Sequence, residues 1–90
     1  MAEFEWDEPK RQKNLEKHGI DFVEAKELFD GRPTFDRFFL GEEVRFGTIG
    51  WLNGRMVTAV WTPRGSHIRL ISVRRARDEE KRRYRRLHEQ

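Results

Sequence analysis

The sequence predicts an α+β fold: two N-terminal helices and one C-terminal helix packed on an antiparallel sheet of about four strands, plus a short N-terminal strand. Three observations carry this expectation. Phe22, Ala25, Leu28 and Phe29 recur at steps of three and four, the spacing of a helix with one apolar stripe. Residues on both sides of Asn53-Gly54 alternate with a period of two, and that dipeptide tolerates the positive φ of a two-residue hairpin turn. In the closing stretch, Asp78, Glu79 and Glu80 precede Lys81, Arg82, Arg83, Arg85 and Arg86, an order that suits the partial charges at the two ends of a helix.

In chain order, residues 3–6 (Glu-Phe-Glu-Trp) alternate polar and aromatic side chains over a span short enough for an edge strand. Asp7 is placed to cap a helix with Glu8 and Pro9 in its first turn, running to about His18 and stopped by Gly19. This helix has one strongly apolar residue, Leu15, and a side bearing Lys10, Lys13, Asn14 and Lys17, so weak packing or packing through long stems is expected. Asp21 and Glu24 have capping-box spacing for the second helix, which Asp30-Gly31-Arg32-Pro33 ends. Strands are then expected over 34–39, 44–52, 55–62 and 66–75, with turns at Gly41-Glu42-Glu43, Asn53-Gly54 and Pro63-Arg64-Gly65. Tight hairpins would put Trp51, Met56, Thr58, Val60, Ile71 and Val73 on one face with Arg69. The other face would take Phe46, Val57, Ala59, Trp61, Ile68 and Leu70, with Arg74 at its end.

Ninety residues suit one small domain, and 36% hydrophobic content with seven Phe and three Trp argues against disorder despite 39% charged residues. The absence of cysteine excludes disulfides, thiolate metal sites and a cysteine nucleophile. Three scattered histidines make a poor metal site, so no metal or cofactor is expected. No apolar run approaches a membrane span, and a cytoplasmic location is the expectation. The net charge of +3 hides a division: residues 1–63 carry 9 Lys/Arg against 12 Asp/Glu, and residues 64–90 carry 10 against 4. A basic end on a mildly acidic body points to a polyanion, nucleic acid before membrane, or else to a solvated basic helix.

The opening FEWDEPKRQKNLEKHGIDFVEA, the central Gly-Glu-Glu-Val-Arg-Phe segment and the closing HIRLISVRRARDEEKRRYRR resemble the BrnT family of toxins from bacterial toxin–antitoxin pairs. The resemblance implies a RelE-like fold and a metal-independent endoribonuclease that inhibits translation. It also implies neutralisation by a ribbon-helix-helix antitoxin similar to BrnA, through which the pair would bind operator DNA. Arg77 stands where the family usually has a hydroxyl residue, so the last helix takes its cap from Asp78 or has none.

Metal-free RNA cleavage needs a base for the 2′-OH proton, cations around the phosphate and an acid for the leaving 5′-oxygen; the RNA supplies its own nucleophile. Arg74, then Arg69, are the candidate phosphate ligands, because a guanidinium fork meets two phosphate oxygens and a strand is a firm platform. The alternative for each is an ion pair with an acid such as Glu79. His18 is the candidate acid or base; it could equally bond the last carbonyls of its helix. Lys13, Lys17 and Arg75 are candidate RNA-binding cations, and Tyr84 a candidate for stacking a base, or for docking the last helix on the sheet.

Overall fold

In the computed structural model, which describes residues 3–89, the first strand is β1 (Glu3–Glu5) and the first helix α1 (Glu8–His18). Asp7 accepts from the Lys10 N–H at the start of α1, and Gly19 closes it in the left-handed region at φ 69°. The second helix is shorter than its stripe suggests: one α turn, α2 (Phe22–Ala25), tightens into a 3₁₀ turn over Lys26–Phe29. Its capping box is formed, with Asp21 accepting from Val23 N–H and Glu24 accepting from Asp21 N–H. Then come β2 (Phe35–Phe39), β3 (Arg45–Leu52), β4 (Arg55–Arg64), β5 (His67–Arg75) and α3 (Asp78–His88).

The sheet has five strands in the order β1-β5-β4-β3-β2. It is mixed rather than antiparallel, because β1 joins it parallel to β5, with Phe4 opposite Ile68. Asn53 and Gly54 both take positive φ, 50° and 80°, in the β3–β4 turn. Strand β4 runs on through Pro63 and Arg64, which pair with Ile68 and His67, so the turn into β5 is shorter than Pro63-Arg64-Gly65. Past Trp61 no β3 residue pairs with β4, which leaves an edge where a missing N–H is tolerated.

The helices do not share one face of the sheet. On one face the stripe of α2 and its 3₁₀ turn (Phe22, Ala25, Leu28) buries against Leu52, Val57, Ala59, Leu70 and Val73. On the opposite face α3 lays Tyr84 against Phe35, Ile49, Met56 and Ala76. The first of these faces is close-packed at Gly50, where a Cβ would fall 2.9 Å from Thr34 Cγ2 and 3.2 Å from Leu28 Cδ2.

Helix α1 lies along the edge of β5 that β1 leaves open. Its anchor is Asn14, which is buried although it falls among lysines in the sequence. Asn14 Oδ1 accepts from Val73 N–H at 3.1 Å, and Nδ2 donates to Val73 O at 2.9 Å and Ile20 O at 3.0 Å. One side-chain amide thus stands in for the next strand of the ladder, satisfying edge groups that would otherwise be buried unpaired. This explains how a helix with so little apolar surface packs; Leu15 itself remains largely exposed.

One irregularity overturns part of the face assignment. Val60 pairs with Ser72 and Trp61 with Leu70, so Ile71 is an extra residue on β5. Before the bulge, the expected faces hold for Ile68, Arg69 and Leu70. After it they invert: Val73 lies opposite Ala59 on the α2 face, and Arg74 lies opposite Thr58 on the α3 face.

Candidate active site

The bulge decides where the candidate site forms. With Arg74 turned to the α3 face, its guanidinium meets Glu80 in the first turn of α3: Nη1 donates to Oε1 at 2.8 Å and Nη2 to Oε2 at 3.1 Å. Thr58 Oγ1 also donates to Oε1, at 2.8 Å, as does Arg77 N–H at 2.9 Å. Arg37 Nη1 donates to Oε2 at 2.9 Å and to Glu79 Oε1 at 2.9 Å. Glu80 is only 1% exposed. Burial pushes its carboxyl upward, but the bonds from Arg74, Arg77 N–H and Thr58 outweigh that and hold it at about 2. Arg37 is correspondingly raised, chiefly by its bond to Glu79.

This network also starts α3. Arg77 is the N-cap residue with an extended backbone and no side-chain cap; Glu80, three residues on, accepts the Arg77 N–H. Asp78 is the first residue of the helix and not its cap.

Beside the network lies a cleft of about 880 Å³ between the end of β5, the start of α3 and the β2–β3 loop. Arg74, Arg77 and Arg45 line it, with Phe39, Ser72 and the loop carboxylates Glu42 and Glu43. Arg74 spends two bonds on Glu80 and one on Arg75 O at 3.3 Å, which fixes its plane and leaves N–H donors over for a ligand. Arg45 lies within 3.3 Å of Glu43 and is largely exposed. Arg37 stacks over the Phe39 ring, 4.8 Å from its centre, and Gly47 leaves room for both: a Cβ there would fall 2.7 Å from Phe39 Cε2. Cations with different degrees of restraint around one concavity suit a phosphodiester that gains charge during reaction.

The sequence-predicted residues are not gathered in one place. Arg69 shares the Arg74 face, opposite Thr62, but stands outside the cleft with Glu5 Oε2 at 3.9 Å. Arg75, opposite Val57, is exposed towards the other face. His18, Lys13 and Lys17 are on α1, and none lines the cleft. Tyr84 is buried, with its hydroxyl donating to Pro33 O at 3.2 Å, so its ring docks α3 and is not presented to a base. The partner of Arg74 is Glu80, not Glu79. Arg77, Arg45 and Glu80 are the residues that sequence reasoning missed. Glu80 carried a signal, an acid three residues after a helix start, hidden in a run of three acids. Arg45 lies in the Gly-Glu-Glu-Val-Arg-Phe segment but carried no chemical signal there, because only folding brings the start of β3 to the end of β5. Among the described residues no group of three or more His, Asp or Glu converges to hold a metal ion.

Residues 6–80 match the family described as "Ribonuclease toxin, BrnT, of type II toxin-antitoxin system". The chain belongs to the BrnT family. A comparison with curated proteins finds no match. As a BrnT protein it is a ribonuclease toxin of a type II system, which gives it an RNA substrate and an antitoxin partner. The matched segment runs from Trp6 to Glu80, the carboxylate that fixes Arg74. No helix among the described residues is long and apolar enough to cross a membrane.

Proposed function

We propose that this BrnT chain cleaves RNA without a metal ion, in the cleft between β5, α3 and the β2–β3 loop, and so inhibits translation in the cytoplasm. The observation that carries this reading is the convergence of Arg74, Arg77 and Arg45 on one concavity, with Arg74 locked in plane by a buried carboxylate. A phosphate seated there meets a fixed guanidinium fork and two exposed ones. The 2′-OH attacks phosphorus, its proton passes to a base, and the 5′-oxygen leaves with a proton from an acid. Glu42 and Glu43 are the carboxylates within the cleft available for proton transfer. Arg69 extends the cationic face, whereas His18, Lys13, Lys17, Arg75 and Tyr84 have no part in the chemistry at this cleft.

The partner is a BrnA-like ribbon-helix-helix antitoxin, which brings the pair to operator DNA and covers the basic end of the toxin. Antitoxin and RNA then compete, and a ternary complex of all three would overturn that arrangement.

The deciding experiment incubates purified protein with RNA in a chelator. Products ending in a 2′,3′-cyclic phosphate, or the 3′-phosphate derived from it, are expected. Arg77→Ala and Arg45→Ala, which disturb no buried pair, should slow cleavage by roughly 10²-fold each. Wild-type rates in both would remove the cleft from the reaction. RNA that stays intact yet binds in a salt-sensitive way would make the chain a binding module instead.

A further inference from the structure

The arginines of this chain divide at Arg74. Every arginine from Arg11 to Arg74 has a carboxylate oxygen within 4.0 Å. Beyond Arg74, no carboxylate among the described residues pairs with Arg75, Arg77, Arg82, Arg83 or Arg86, and Arg85 reaches Glu89 only at 3.8 Å. Arg83 is exposed as well and lies over the Phe35 ring.

On α3 the cations, of which Arg85 alone has a carboxylate partner among the described residues, form rows. Steps of four place Arg77, Lys81 and Arg85 in one line and Arg82 and Arg86 in the next. Glu80 and Tyr84 bury the inward side, so these rows face outward, where Arg82, Arg85 and Arg86, with Glu89 at one side, border a shallow depression of about 370 Å³. The rows begin at the cleft, because Arg77 lines it. The helix dipole accounts for cations in the last turn, at Arg85 and Arg86. It does not account for Lys81 and Arg82 a turn earlier, where like charges one turn apart repel and lower stability. A surface that keeps its cations unneutralised beside a cationic cleft fits a repeating anion that continues out of that cleft.

We propose that the outward face of α3, from Arg77 to Arg86, carries the phosphate backbone of single-stranded substrate RNA as it leaves the cleft. The identity of the ligand as substrate rests on the function proposed above; the surface itself is read from the unpaired arginines. The test uses the full chain and an RNA made resistant to cleavage by 2′-O-methylation, with binding measured by anisotropy across a salt series. Arg82→Gln/Arg86→Gln keeps good helix formers at exposed positions, so the fold is undisturbed. Its affinity should fall, and the slope of log K against log salt should shrink by about 1.4, at about 0.7 for each single-strand phosphate that the variant leaves unneutralised. With cleavable RNA, KM should rise while kcat holds, and the difference should vanish on an RNA too short to reach past the cleft.

Wild-type affinity and salt slope in the variant would overturn the proposal. So would a variant that binds RNA normally but escapes neutralisation by the antitoxin, because the face would then belong to the protein partner. Weaker binding by the variant, from a wild-type chain that cuts no RNA, would uphold the surface and defeat the nuclease reading alone.

Discussion

Glu80 is a buried anion that four donor groups from Arg74, Arg37, Thr58 and the Arg77 backbone make tolerable. Its folded value, about 2, lies below the ordinary 4.5, so ionisation favours the folded state. That contribution is complete above about pH 5.5 and is lost as the pH falls through 4.5 towards 2. Asp21 and Asp30 add to the same acid window, held down chiefly by their bonds to Arg11 and Arg32. Glu80→Gln is expected to flatten the acid limb of stability against pH by about 2–3 kcal/mol, as read by urea unfolding at a series of pH values. An unchanged acid limb would deny Glu80 this part. Given the same pairing, Arg74→Ala is expected both to abolish growth inhibition and to destabilise the domain, by about 3–5 kcal/mol in urea unfolding, since it strips a buried carboxylate of its fork. An expectation of lost toxicity with the fold intact therefore belongs to Arg77→Ala. Asn14 is the second decisive polar residue. Asn14→Ala orphans the N–H and C=O of Val73, and should cost about 2–4 kcal/mol in denaturant unfolding.

Strand β5 does two jobs that its alternation alone could not supply together. Ile68, Leu70 and Val73 all have to reach the α2 core, yet Val73 is an odd number of steps from Leu70. The bulge at Ile71 resolves the conflict, and as a consequence delivers Arg74 to the α3 face. Deleting Ile71 removes the extra residue and turns β5 into a regular strand, in which Val73 still pairs with Ala59 and Arg74 with Thr58. The expected outcome is a cooperative unfolding transition that survives the deletion, followed by circular dichroism; a deletion variant that does not fold would show that Ile71 is not the extra residue. The α2 stripe, its capping box and the Asn53-Gly54 turn were legible because each is a local rule obeyed by adjacent residues. The bulge was not, since nothing in Leu70-Ile71-Ser72 distinguishes a bulged residue from a paired one.

Taken whole, the chain places α2 and α3 on opposite faces of the sheet and α1 along its edge, so cations close in charge pattern end up far apart in use. His18, Lys13 and Lys17 sit on α1 outside the cleft, and Arg77 sits on its wall. His18→Ala and Lys13→Ala/Lys17→Ala should therefore keep the wild-type cleavage rate, while Arg77→Ala loses roughly 10²-fold. A His18 variant that fails to cut RNA, though folded, would place the reaction elsewhere on the molecule. The fold class, the positions of most elements and the basic end were open to inspection in the order of residues. Membership of the site was not, because Arg45, Arg77 and Glu80 meet only after the β2–β3 loop and α3 close over the same face.

What the sequence determined by itself was everything set within a few residues: helix starts and stops, the hairpin turn, the apolar stripe of α2, and a cationic end fit for an anion. Direction and company came from the assembled fold. One extra residue in β5 chose the face on which Arg74 emerges, and a carboxylate from the next helix fixed its plane. Both depend on pairing across strands and helices, where a single step of register reverses every side chain and no local pattern records it.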